Sequence, residues 1–142
     1  MSSQKIIAII PARYFSTRFP GKPLAQIAGI TMIQHVWERV NETKNIDEVI
    51  VATDDERIFN SVKKFGGKVV LTSSEHKTGT DRIVEVLSGR KCDWVLNVQG
   101  DEPLISPNDL DQLIYKAKNA NGINVATLFY EMSDEVFFKD KN

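Results

Sequence analysis

Apolar residues follow two rhythms along the chain. Ile6–Ile10 is an unbroken apolar run of five, stopped by Pro11, and predicts a strand buried on both faces. Glu48–Thr53 (EVIVAT), Lys68–Thr72, Asp93–Val98 (DWVLNV) and Ile123–Tyr130 predict four more strands. Between them the apolar positions shift to helical spacing. Ile33, Val36, Trp37 and Val40 place a helix from Met32 to about Thr43, with Thr31 as its cap and Gly29 in a preceding turn. Ile58, Phe59, Val62 and Phe65 place one over Glu56–Phe65, ended by Gly66-Gly67. Ile83, Val84 and Leu87 face inward on a helix from Thr78 to Leu87. Ser106-Pro107 is a strong start, an N-cap serine with proline at the first helical position. That helix runs to about Asn119 and buries Leu110, Leu113, Ile114 and Ala117, and Ser133 opens a further helix.

Strands alternating with helices predict an α/β fold with a mostly parallel sheet flanked by helices. Open sheets of this kind bind ligands outside the carboxyl ends of their strands. The Pro11 loop, the Thr53-Asp54 corner and the Gln99-Gly100-Asp101 corner are expected to meet at that edge.

Charge sharpens the picture at the first of these corners. The 142 residues sum to −1, which argues against broad nucleic-acid binding. No Asp or Glu precedes Glu38, so Lys5, Arg13, Arg18 and Lys22 give the first 37 residues a formal +4. Three of those cations sit in Ile9–Leu24, IIPARYFSTRFPGKPL, which is poor in helix and strand formers. Such a loop is either a solvated basic segment or an anion site. Gly21-Lys22 is followed by proline and there is no G-x-G-x-x-G, so neither common phosphate motif is present. Long cationic side chains, helped by backbone N–H groups near Ser16 and Gly21, would clamp a triphosphate instead.

Asp101 follows a buried strand and a glycine. One carboxylate with substrate phosphates is a normal way to hold Mg²⁺; the alternative is a turn cap before Pro103. Glu102 suits a surface role better than a metal, and Asp54 and Asp55 suit helix capping. His35 and His76 have no ligand-spaced partner for zinc. Thr78-Gly79-Thr80-Asp81-Arg82 is a polar corner readable as a helix cap or as part of a site. Cys92 is the single cysteine, which fits a reducing, cytoplasmic setting. The N-terminal apolar run is too short for a signal core or membrane span.

PARYFSTRFPGKPL, VATDDERI, HKTGTDRIVEV and NVQGDEPLI, in that order and spacing, resemble the 3-deoxy-manno-octulosonate (Kdo) cytidylyltransferases, the CMP-Kdo synthetases of lipopolysaccharide synthesis. The resemblance runs from about Ile6 to Phe138. It implies a Rossmann-like nucleotidyltransferase fold, a homodimer, Mg²⁺ as cofactor, and CTP and Kdo as substrates, with no nucleic acid or membrane partner. Carried onto matching positions, it implies phosphate contacts from Arg13 and Lys22 with Arg18 in support. Pro11 and Ala12 would line the cytosine pocket through their backbone, and Thr80 and Arg82 would contact the nucleotide. Gln99 would face the sugar acid and Asp101 would hold the metal. Arg13, Lys22 and Asp101 form the implied catalytic set. Family members run roughly a hundred residues longer, with a second metal-binding aspartate beyond residue 142. The chain is therefore expected to be the nucleotide-binding part, 1–142, of a single truncated nucleotidyltransferase domain, inactive in isolation. The rival readings are a cytidylyltransferase for another sugar acid, such as sialic acid, and a non-catalytic nucleotide-binding module.

Overall fold

A computed structural model describes residues 4–128. Its core is a four-stranded sheet, β1 (Ile6–Ala12), β4 (Glu48–Thr53), β5 (Lys68–Leu71) and β6 (Trp94–Asn97), in the order β5-β4-β1-β6. All three pairings are parallel. The helices between them are α1 (Met32–Asn41), α2 (Glu56–Lys64), α3 (Gly79–Leu87) and α4 (Pro107–Asn119). The α/β reading therefore holds, with β1 at the centre and the strand order reversing between β1 and β6.

Alternation along β1 and β4 divides the core into two. Ala8, Ile10, Ala12, Val49 and Val51 pack with Ile33, Val36 and Val40 of α1, Ile58 and Val62 of α2, and Leu110 of α4. Ile7, Ile9, Ile50 and Ala52 face the other way, onto Ile83 and Val86 of α3. Two apolar faces explain why the strand sequence is continuously apolar rather than alternating.

The structure corrects four details. First, β1 passes through Pro11 and ends at Ala12. The carbonyl of Pro11 accepts from Gly100 N at 3.3 Å, on the side of β1 from which β6 has already ended at Asn97. Proline has no N–H to give on that side, where the regular pairing of β1 with β6 ends at Ile9–Asn97. Second, a hairpin of two short strands, β2 (Gln26–Ile27) and β3 (Ile30–Thr31), precedes α1. Ala28 and Gly29 turn it with φ of 50° and 89°, the two positive values that a two-residue hairpin loop needs. Third, α3 buries Arg82, Ile83 and Val86, while Val84 is 64% exposed. Residues 82, 83 and 86 share a helix face and residue 84 lies off it. Fourth, residues 123–128 pair with no neighbour among the described residues and form no strand. The end of that expected strand and the helix expected from Ser133 lie outside the described residues.

Each helix begins where its local chemistry directs. Asp55 caps α2 by accepting from Arg57 N at 2.9 Å. Thr78 and Asp81 form a reciprocal capping box on α3. Ser106 accepts from Asp109 N at 3.2 Å, with Pro107 next. Thr31 occupies the cap position of α1, yet its hydroxyl makes no capping bond. The carboxylate of Asp111 on α4 takes the amides of Lys44 and Asn45, fixing that helix to the loop before β4.

Candidate functional site

The strand order reverses between β1 and β6, so the crevice of an open parallel sheet falls beyond their carboxyl ends. Three corners meet there. A Cβ added at Gly100 would lie 3.0 Å from the carbonyl oxygen of Pro11, and one at Gly79 would lie 3.3 Å from the Pro11 ring. Gly79 opens α3 and Gly100 follows β6, so Pro11 is the point against which both corners close. Their glycines permit that approach.

The cationic loop reaches across the same edge. Arg13 gives Nη2 to the carbonyl of Lys77 at 3.0 Å, just before α3. Gly21, at φ 72°, gives its N–H to the carbonyl of Tyr14 at 2.7 Å and so folds the loop back on itself. Lys22 then starts a short 3-10 turn, Lys22–Leu24. Its Nζ lies 3.0 Å from Asp101 Oδ2, with the two side chains 41% and 53% exposed. Arg18 stands exposed on the loop. One end of the crevice thus presents Arg13 and Lys22 to solvent, with the Asp101 carboxylate against Lys22.

Thr80 is exposed in the first turn of α3. Gln99 is exposed beyond β6 and gives Nε2 to Asn97 Oδ1 at 3.0 Å. Pro11 and Ala12 are buried as the last residues of β1, and the Pro11 carbonyl is already engaged by Gly100.

Arg82 departs from its expected place. It is 1% exposed beneath the crevice and faces no open space. Its Nη1 donates to the hydroxyl of Thr72, and to the carbonyl of Ser73 at 3.3 Å. Its Nη2 lies 3.4 Å from Asp54 Oδ2, an ion-pair distance without hydrogen-bond geometry, and Nε is also unpartnered. A helical position shared with Ile83 and Val86 turns this side chain inward, so it joins the ends of β4, β5 and α3. Asp54, expected as a cap, is the counter-charge of this buried cation, while Asp55 is the cap.

Two neighbouring acids stay charged to low pH for local reasons. The Thr78 hydroxyl, donating to Asp81, holds that carboxyl below its ordinary value. The His76 ring does the same for Glu85, with the Ser73 amide adding to it. Both groups fix residues 73–78, the segment whose Lys77 carbonyl receives Arg13.

A groove of about 580 Å³ extends from Asp101 along Pro103, Leu104, Leu113 and Thr127, giving an organic group room beside the carboxylate. A smaller cavity of about 220 Å³ lies at the opposite strand edge, around Trp37, Thr43 and Lys68, away from the cations. Among the described residues no three His, Cys, Asp or Glu side chains gather into a metal cluster. Asp101 nonetheless suits a hard cation: its carboxylate is open to solvent and faces the amine that would meet phosphate, the arrangement in which one carboxylate and substrate oxygens share Mg²⁺.

Sequence reasoning missed the Lys22–Asp101 pair and the contact of Arg57 with Tyr14, where the guanidinium carbon lies 3.2 Å from the ring centroid. Neither pair has a local sequence signal, because each joins separate elements.

Residues 7–142 match the Cytidylyltransferase family. The chain is 54% identical over 124 residues to the 3-deoxy-manno-octulosonate cytidylyltransferase of Geobacter metallireducens, covering 87% of this chain and 49% of that protein. It is 46% identical over 129 residues to the enzyme of that name from Escherichia coli, covering 91% and 52%. Among solved structures, CMP:2-keto-3-deoxy-manno-octonic acid synthetase complexed with CTP superimposes with a TM-score of 0.81 at 46% identity, over 84% of this chain and 49% of that one. The chain thus spans about half the length of the curated relatives it matches.

Proposed function

The chain belongs to the cytidylyltransferase family, and from that membership we propose that it supplies the nucleotide side of an enzyme that activates Kdo with CTP, releasing CMP-Kdo and pyrophosphate. The observation that carries this reading is that Lys22 meets Asp101, and Arg13 spans to the Lys77 carbonyl, at the switch point between β1 and β6, on a loop that also carries Arg18. A triphosphate laid across that edge meets cations at its phosphates. Its base would lie toward the close-packed backbone of Pro11 and Ala12, with Thr80 at the rim of α3. Gln99, exposed beyond β6, would face the sugar acid.

The chemistry is a phosphoryl substitution. The anomeric hydroxyl oxygen of Kdo forms a bond to the α-phosphorus as the bond from that phosphorus to the bridging oxygen breaks. Pyrophosphate departs with the electron pair, and the hydroxyl proton passes to solvent. Arg13 and Lys22 neutralise the charge that gathers on the leaving pyrophosphate. Arg13 is steadied by the Lys77 carbonyl, and Lys22 by the folded loop. Asp101 would hold Mg²⁺, which when bound adds positive charge at the phosphate oxygens. Little acid–base work is left to the protein. Use of CTP and a lone cysteine suit a cytoplasmic enzyme. A homodimer remains the expected assembly of the whole enzyme.

Calorimetric titration of CTP, GTP and ATP with and without Mg²⁺ tests the proposal. CTP-selective binding strengthened by Mg²⁺ is the expected result. Arg13→Ala and Lys22→Ala should each weaken CTP more than CMP; equal losses for the two nucleotides would remove the triphosphate clamp.

A further inference from the structure

Arg57 is not one of the groups assigned to the reaction, yet it is held more firmly than a surface arginine usually is. Its Nε and Nη2 meet the two oxygens of Asp55 at 3.0 and 2.6 Å. Asp55 is itself fixed, because it caps α2. This fork leaves the flat face of the guanidinium free, and that face lies on the Tyr14 ring. The ring also meets Phe15 edge-on, with centroids 5.4 Å apart and planes 76° apart. Tyr14 in turn fixes the loop. Its carbonyl receives the Gly21 amide, and its ring lies where a Gly21 Cβ would be 3.0 Å away. Lys22 is the next residue. A continuous series of contacts thus runs from the start of α2, through Arg57 and Tyr14, to the lysine at the crevice.

We propose that Arg57, held by Asp55, is a positioning residue that keeps the Arg13–Lys22 loop folded by clamping Tyr14, so that the loop's cations are aligned before a nucleotide arrives. Its consequence for binding rests on the triphosphate role given to that loop. Arginine suits the task because one edge binds a carboxylate while its face stacks on an aromatic ring. A lysine ammonium lacks the fork and the face. The cations concerned sit on a glycine- and proline-containing segment whose anchors are Tyr14, Pro23 and Leu24, so a clamp on Tyr14 bears on how much order is lost on binding.

Amide hydrogen exchange and nucleotide titration on the same variants test this. Arg57→Ala is expected to raise exchange of the Gly21 amide about 2- to 5-fold, the size of an exposed cation–aromatic contact, with β1 and the centre of α2 unchanged. It should weaken CTP by a similar factor and leave CMP within about 2-fold. Tyr14→Phe, which keeps the ring, should retain wild-type exchange and affinity. Asp55→Asn, which keeps a capping side chain, should show part of the Arg57→Ala effect. Unchanged Gly21 exchange in Arg57→Ala overturns the proposal. So does Tyr14→Phe behaving like Arg57→Ala, or exchange rising throughout α2. Faster Gly21 exchange with both nucleotide affinities unchanged upholds the loop-holding role and overturns the triphosphate reading instead.

Discussion

Lys22 Nζ and Asp101 Oδ2 lie 3.0 Å apart, although 79 residues separate them in sequence. The cation proposed for phosphate and the carboxylate proposed for metal are each other's partner. Both are well exposed, so the pair contributes only about 0–1 kcal/mol to the fold. On the proposed roles its weight would lie in binding: a phosphate that drew Lys22 away would free Asp101 for a cation, and each event would lower the cost of the other.

Asp101→Asn separates these roles. Metal-free CTP should bind about 3-fold more tightly, because a competing negative charge is gone. The enhancement by Mg²⁺ should vanish, while the thermal midpoint stays nearly constant. Titrations with and without Mg²⁺ measure both effects. Weaker metal-free binding in this variant would count against the exchange of partners.

Arg82 differs from the other cations in being a strut. Removing it leaves Asp54, Thr72 and a cavity under the crevice, so Arg82→Ala should cost about 3 kcal/mol, the lower range for breaking a buried charge pair. That corresponds to a fall of about 10 °C in the melting temperature for a domain of this size. Calorimetric melting measures it. A variant that melts like the wild type but loses CTP would make Arg82 a direct nucleotide contact.

Gly100 has no room for a side chain. The Cβ of Gly100→Ala would press on the backbone carbonyl of Pro11 and on Ala12 Cβ, at 3.0 and 3.3 Å. Backbone cannot step aside as a flexible side chain can, so the substitution should destabilise by about 1–3 kcal/mol. It should also widen the gap between Asp101 and Lys22. Urea unfolding gives the first quantity and CTP titration the second; an unperturbed protein would mean that the corner moves freely.

Acid should loosen the edge of the site before neutral pH does. Asp55 is held below its ordinary value of 3.8 chiefly by the Arg57 hydrogen bond. Asp81 is lowered by Thr78 and Glu85 by His76. A carboxyl whose folded-state pKa is depressed gives stability that is whole above its unfolded value and is lost as pH falls through the folded one. Stability should therefore hold from neutrality to about pH 5 and decline below about pH 4. Urea midpoints across that range test this, and Asp81→Asn should flatten the decline while keeping a side chain that accepts from Thr78.

Much of this was legible because it was local. β1 and β4 announce themselves as unbroken apolar runs, and Thr78 and Ser106-Pro107 mark helix starts through hydrogen bonds to their own next turn. The hairpin at Ala28-Gly29 was not legible, since two residues per strand give no periodicity. Val84 was misplaced because apolar residues at 83, 84, 86 and 87 fit a helix face in more than one way, and the buried position went to an arginine that sequence reasoning treats as exposed. Arg13, Arg18 and Lys22 stood out by charge alone as a triphosphate clamp, whereas the roles of Pro11, Ala12, Thr80, Arg82 and Gln99 came from resemblance. That Lys22 faces Asp101, and Arg57 faces Tyr14, follows only from the sheet order that brings distant loops together.

The central place of β1 also sets a timetable for synthesis. Among the described strands β1 is made first, yet it needs partners on both sides: β4 begins at Glu48, while Ile9 waits for Asn97. At the usual pace of translation the interval from Ile9 to Asn97 is roughly ten seconds, during which β1 can join β4 but its other edge stays open. The crevice lies between β1 and β6, the first and last of the described strands, so a nucleotide cannot find its site until both edges of β1 are paired.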